Sequence, residues 1–92
     1  MIKSWQHKGL KLFYETGSVA KIQPHQAQNI HDILQALDVA TKPEDMRFPG
    51  LMLHKLTGGL KHFYAVQVSG NWRIIFRFAG KDAVLVDYTD YH

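Results

Sequence analysis

The sequence closes on Asp90, Tyr91 and His92, directly after the apolar run Ala83 to Tyr88. A carboxylate, a phenol and an imidazole in three successive positions make up a stock of groups for acid–base chemistry near neutral pH. Upstream stand His54 and Arg73. Together the five side chains supply every role in a metal-free cut of RNA. A base takes the 2′-OH proton, that oxygen attacks the adjacent phosphate, and an acid protonates the departing 5′-oxygen. A cation meets the charge on the phosphorane-like transition state. Arginine suits this task because its planar fork matches two phosphate oxygens. Tyr91 adds a ring on which an unpaired base can stack. The bland reading of the same triplet is a polar end with an aromatic anchor.

The charge pattern favours a polyanion. The net charge is +3, and the first 46 residues balance their acids and bases. Then Arg47, Lys55, Lys61, Arg73, Arg77 and Lys81 follow with no acid before Asp82. Such a stretch suits phosphates, which release counterions when neutralised, and equally an acidic protein partner. An ordinary solvated surface is the alternative. Lys55, Lys61 and Arg77 are therefore candidate RNA contacts.

No metal site is expected. Cysteine is absent, and the six histidines form no HxH or HxxxH pair. His7, His25 and His31 fall on helices or their ends and are expected on solvated faces. His62 could line the sheet. His54 interrupts the apolar run Leu51 to Leu56, so it either faces the polar side of a sheet or is a satisfied core histidine. Gly58, Gly59 and Gly70 read as turn glycines rather than a phosphate-binding loop.

The elements that must position these groups follow from periodicity. At 92 residues and 46% hydrophobic content the chain suits one small domain with a packed core. No apolar run approaches membrane-spanning length, and no signal-peptide pattern opens the sequence, which makes the cytoplasm the expected location. Ile2 to Trp5 reads as an edge strand. His7 to Thr16 reads as a helix with Gly17 as its C-terminal cap. Pro24 suits the first turn of a second helix running to about Val39, with Ala27, Ile30, Ile33, Leu34 and Leu37 as its apolar stripe. Thr41 to Gly50 reads as a loop. From residue 51 the period becomes alternating, with strands expected at Leu51–Leu56, His62–Val68, Trp72–Phe78 and Ala83–Tyr88. Helices first and hairpin-linked strands after predict an α+β fold, two helices packed on a mainly antiparallel sheet of about four to five strands.

Parity on the third strand sharpens this. Trp72, Ile74, Phe76 and Phe78 point one way and must be buried under the helices. Arg73, Ile75 and Arg77 point the other, toward the open face. The two arginines then lie roughly 13 Å apart, too far to share one phosphate.

Residues 53–78, LHKLTGGLKHFYAVQVSGNWRIIFRF, and residues 86–92, VDYTDYH, resemble the HigB-type toxins of the RelE/ParE superfamily. The opening MIKSWQHKGLKLFYETG also resembles the start of that family, so the likeness spans essentially the whole chain. The resemblance implies a RelE-like α+β domain and a messenger-RNA endonuclease that acts in the decoding site of the 70S ribosome during translation. It implies a cognate helix-turn-helix antitoxin that binds the toxin and represses the operon, so that DNA is met only indirectly. It implies no cofactor and no membrane partner. Carried onto this sequence, its functional positions are His54, Arg73, Asp90, Tyr91 and His92. Relatives often have lysine where this chain has Thr57; Lys55 and Lys61 are the nearby cations. Two alternatives go with the resemblance: a ParE-like inhibitor of DNA gyrase that cuts nothing, and a plain antitoxin-binding module.

Overall fold

A computed structural model describes residues 1–90. Tyr91 and His92 lie outside the described residues. Two helices, α1 (Lys8–Thr16) and α2 (Ala27–Val39), precede the strands β1 (His54–Lys55), β2 (Tyr64–Ser69), β3 (Trp72–Ala79) and β4 (Asp82–Asp90). The sheet has the order β1-β2-β3-β4, and every neighbouring pair is antiparallel. This is the expected α+β architecture.

Local signals explain the helices. Gly17 takes the left-handed conformation (φ 81°) and returns its N–H to Phe13 O, closing α1 where the sequence places the stop. His7 is half-buried rather than on a solvated face. It caps α1, its Nδ1 accepting from Leu10 N at 2.9 Å, and its ring meets Tyr88 edge-on at 5.4 Å. His25 is exposed, and His31 is half-buried on α2. Pro24 opens a short 3-10 turn, Pro24–Gln26, that runs into α2. Ile30, Ile33, Leu34 and Leu37 are buried along the expected stripe. Gly9 has another task. A side-chain carbon there would meet Lys21 Cβ at 2.1 Å, so only glycine lets the linker cross α1 this closely.

The main core lies between the helices and one face of the sheet, where Leu10, Phe13, Leu34, Leu37, Ile74, Phe76 and Val86 pack together. Trp72 and Phe78 are half-buried against it, as the parity of β3 requires. The opposite face departs from expectation. Ile75 is buried there with Leu56, Ala65 and Phe63 in a second, smaller cluster. The arginine face is thus partly covered by the chain around β1 rather than fully open.

Several boundaries also differ. The run Leu51–Leu56 is not a continuous strand. Met52 has a positive φ of 52°, and Leu51 N is turned back onto Phe48 O, so regular pairing is left only to His54 and Lys55. β2 starts at Tyr64 rather than at His62, because Phe63 N closes a turn onto Leu60 O and His62 adopts φ 79°. The loop after α2 contains a 3-10 turn, Pro43–Met46, whose Met46 is fully buried.

β4 is longer than expected and carries a bulge. Ile75 pairs with Asp87 but Arg77 pairs with Val84, which inserts one residue into β4. Leu85 takes the strain at φ 55°, its N–H held by Ser4 Oγ at 2.9 Å. The insertion changes parity, so that Ala83, Val86 and Tyr88 all reach the core. Beyond β4 the N-terminal segment runs parallel to it through single bridges, Ile2 with Ala83 and Trp5 with Val86. This is the fifth, edge element read from Ile2 to Trp5.

Candidate active site

β1, β2 and β3 bring His54 and Arg73 to one face of the sheet. His54 pairs with Ala65, and Arg73 pairs with Gln67 two residues further along β2. Side chains of paired residues share a face, so His54, Ala65, Gln67, Arg73 and Ile75 all look away from the helices. Two inter-strand spacings and two residues of rise put the backbones of His54 and Arg73 about 12 Å apart. A phosphate can lie between two such side chains.

His54 is exposed, and its Nδ1 sits 3.1 Å from Met52 O. A carbonyl can only accept, so Nδ1 carries the proton and Nε2 of the neutral ring is left as an acceptor. The sharp turn at Met52 is what brings that carbonyl to the ring. Of the two environments open to His54, the structure selects the polar side of the sheet.

Arg73 is half-buried. Its Nη1 donates to Gly70 O at 3.0 Å and to Trp72 O at 3.2 Å, both at the β2–β3 turn. Neither contact neutralises its charge. Arg77 is exposed on the same face, with its guanidinium carbon 5.9 Å from the centre of the Phe63 ring. Lys55 and Lys61 are exposed, and Lys55 alternates to the face opposite His54. Thr57 is exposed in the loop after β1.

Asp90 ends β4 and pairs with Trp72, which puts it on the helix side of the strand, opposite in parity to Arg73. Its charge reaches Tyr88. Burial pushes the Tyr88 phenol above its usual value, and Asp90 adds to that shift. Tyr91 and His92, the other two terminal candidates, lie outside the described residues. Among the described residues, no group of three histidine or carboxylate side chains is arranged to hold a metal ion.

Three polar residues on the arginine face escaped the sequence reading. Gln67 and Thr89 flank Arg73 on either side. Asp87 pairs with Ile75 and so lies between the two arginines along the face, its Oδ1 accepting from Tyr88 N at 2.9 Å. Antiparallel pairing of β3 with β4 signals Asp87 and Thr89, but only once the bulge at Leu85 is known. A groove of about 430 Å³ lies elsewhere, between α2 and the segment around Phe48 to Leu51. Of the arginine-face residues only Gln67 borders it, so the candidate site is the arginine face itself and not this groove.

The family model described as RelE-like toxin of type II toxin-antitoxin system HigB matches residues 3–92. The chain belongs to this family. It is 40% identical over 92 residues to the protein named Endoribonuclease HigB of Proteus vulgaris, with both chains covered completely. It is 30% identical over 95 residues to Toxin HigB-1 of Vibrio cholerae serotype O1, covering 100% of this chain and 98% of that one. Solved structures of YafQ from E. coli BL21(DE3) and of a YoeB/ParE toxin from Agrobacterium tumefaciens share the fold. Their TM-scores are 0.58 and 0.56 at 14% and 13% identity. The matches cover 98% and 100% of this chain, and 91% and 99% of theirs. As a toxin of a type II toxin–antitoxin system, the HigB-family chain has an antitoxin as its partner. Among the described residues no helix is long and apolar enough to cross a membrane.

Proposed function

We propose that this HigB-family toxin is a ribosome-dependent, metal-independent messenger-RNA endonuclease that cuts message in the decoding site and arrests translation. The RNA-cleaving class follows from the family and from the full-length match to an endoribonuclease. The observation that carries the mechanism is the placement of His54 and Arg73 on one sheet face, on strands β1 and β3. Arg73 holds the scissile phosphate and stabilises its transition-state charge. His54 Nε2 and His92 are the proton-transfer groups, Tyr91 stacks on the substrate base, and Asp90 orients the terminal pair. Lys55, Lys61 and Arg77 hold neighbouring phosphates. The cation is supplied by the protein itself, so no divalent ion is required at the toxin's site. The toxin works in the cytoplasm, and its antitoxin is a helix-turn-helix protein through which alone the pair meets DNA.

The test maps cleavage on pre-assembled ribosome complexes bearing a defined message. Cuts confined to the decoding site support the reading. Translation arrest without cut message, or inhibition of gyrase instead, would overturn it. Cleavage in the pre-assembled complexes that is lost when the toxin has been treated with a chelator, and restored by one equivalent of a metal titrated into that toxin, would overturn metal independence.

A further inference from the structure

We propose that Gln26 and Tyr88 are positioning residues, joined in a buried relay that fixes the β2–β3 turn holding Arg73 against the end of β4. The inference rests on the reading of Arg73 as a phosphate-binding catalytic residue.

Gln26 is a buried polar side chain, 2% exposed, on the 3-10 turn before α2. A buried amide is costly unless both its ends are satisfied. Here both are. Tyr88 OH donates to Gln26 Oε1, and Gln26 Nε2 donates to Ser69 Oγ at 2.7 Å. The same hydroxyl accepts from Gln23 N at 3.4 Å. The Tyr88 ring is held by Trp72, stacked at 4.5 Å, and by the His7 edge.

The two ends of this relay are what give it meaning. Ser69 precedes Gly70, whose carbonyl receives the Arg73 guanidinium. Tyr88 lies two residues before Asp90, on the strand that leads in sequence to Tyr91 and His92. The relay therefore spans from the arginine's anchor to the strand that carries the terminal acid–base groups. β2 is bulged at this point, its register shifting between Gln67 and Ser69. Bulges beside functional sites re-aim side chains. Stability alone does not call for such a network. Replacing both members of a buried hydrogen bond by apolar groups of similar shape is often neutral or stabilising. A satisfied buried network instead restricts the site to one arrangement.

The test is the double variant Gln26→Met/Tyr88→Phe, which removes the buried hydrogen bond between these two side chains and the link to Ser69 and keeps the volume. Single-turnover cleavage is followed on pre-assembled ribosome complexes across toxin concentration, with thermal melting alongside. Melting at or above the parent's temperature is expected, with the half-saturating concentration within about twofold. The saturating rate should fall about ten- to a hundredfold, as misplacement of reacting groups costs. A folded double variant that cuts at the parent's saturating rate would overturn the relay. If the double variant does not fold, Ser69→Ala decides, because it removes one link at the end of β2: a lowered saturating rate supports the relay and an unchanged one overturns it. Arg73→Ala in the same assay separates the two layers. Were that variant to cut at the parent's rate, the underlying reading of the site would be at fault.

Discussion

Arg73 and Gln67 stand opposite each other on β3 and β2, and both donate to the carbonyl oxygen of Gly70, at 3.0 Å and 3.3 Å. One turn carbonyl thus holds the arginine at rest, and the neighbouring amide shares the same acceptor. Because the carbonyl is uncharged, the guanidinium keeps its full charge for a phosphate. Arg73→Ala should remove about 2–4 kcal/mol of transition-state stabilisation, by analogy with the loss of an oxyanion donor. That lowers the single-turnover rate about a hundredfold or more, at ~1.4 kcal/mol per tenfold. Ribosome affinity should change far less. A variant with normal chemistry and weakened binding would make Arg73 a docking residue instead.

Deletion of His92 should separate catalysis from folding. The deletion removes a single residue, so stability should change by only ~0–0.5 kcal/mol, as for ordinary surface changes. Cleavage and growth arrest should collapse, while antitoxin binding persists. The measurements are thermal melting, antitoxin titration and mapping of cut message for a chain ending at Tyr91. Full toxicity with intact cleavage would remove the terminal imidazole from the mechanism.

Met46 anchors the segment that leads to His54. It is fully buried in the main core although it belongs to a short 3-10 turn between two prolines. Met46→Ala should cost about 2–5 kcal/mol, the range for truncating a buried aliphatic side chain. Denaturant titration measures it directly. A loss below about 0.5 kcal/mol, ordinary for a surface position, would mean the turn is not held by the core.

The phenols predict how stability responds to alkali. Burial raises the pKa of Tyr88, and burial with nearby Asp38 raises that of Tyr14. In the unfolded chain a tyrosine titrates near 10. Above that pH the unfolded state sheds protons that the folded state retains, so stability falls as pH rises toward the folded pKa. Below pH 10 these groups contribute their full stability. Tyr88→Phe should flatten part of this alkaline loss and leave the share of Tyr14. Parallel slopes for parent and variant above pH 10 would contradict the shift.

Much of the fold could be read directly because its signals are local. Gly17 stops α1 by a left-handed cap, the α2 stripe repeats at helical spacing, and β3 alternates from Trp72 to Phe78 with Ile75 as its one exception. The misses are non-local. Nothing in the residues near Leu85 announces a bulge, because its strain is offset by Ser4, beside it in space but far away in sequence. His7 looks like a helix-surface histidine until Leu10 N and Tyr88 are both seen beside it. Leu51 to Leu56 has the composition of a strand, but its backbone is claimed by turns at Phe48 and Met52. At the site, residue types pointed to His54 and Arg73, and the sheet does bring both to one face. Gln67, Asp87 and Thr89 required the register, which composition does not carry.

The pairing of Ile2 with Ala83 and Trp5 with Val86 also bears on when the protein can become active. The segment that precedes both helices docks on the last strand of the sheet, and that strand also completes the pairing of β3, the carrier of Arg73. While β4 is still inside the ribosome that is making it, the N-terminal segment has no partner and the sheet lacks its final strand. Long-range pairing of this kind must wait until both segments have been made, whereas α1 and α2 can form early. A chain interrupted before β4 therefore cannot complete the sheet that carries Arg73.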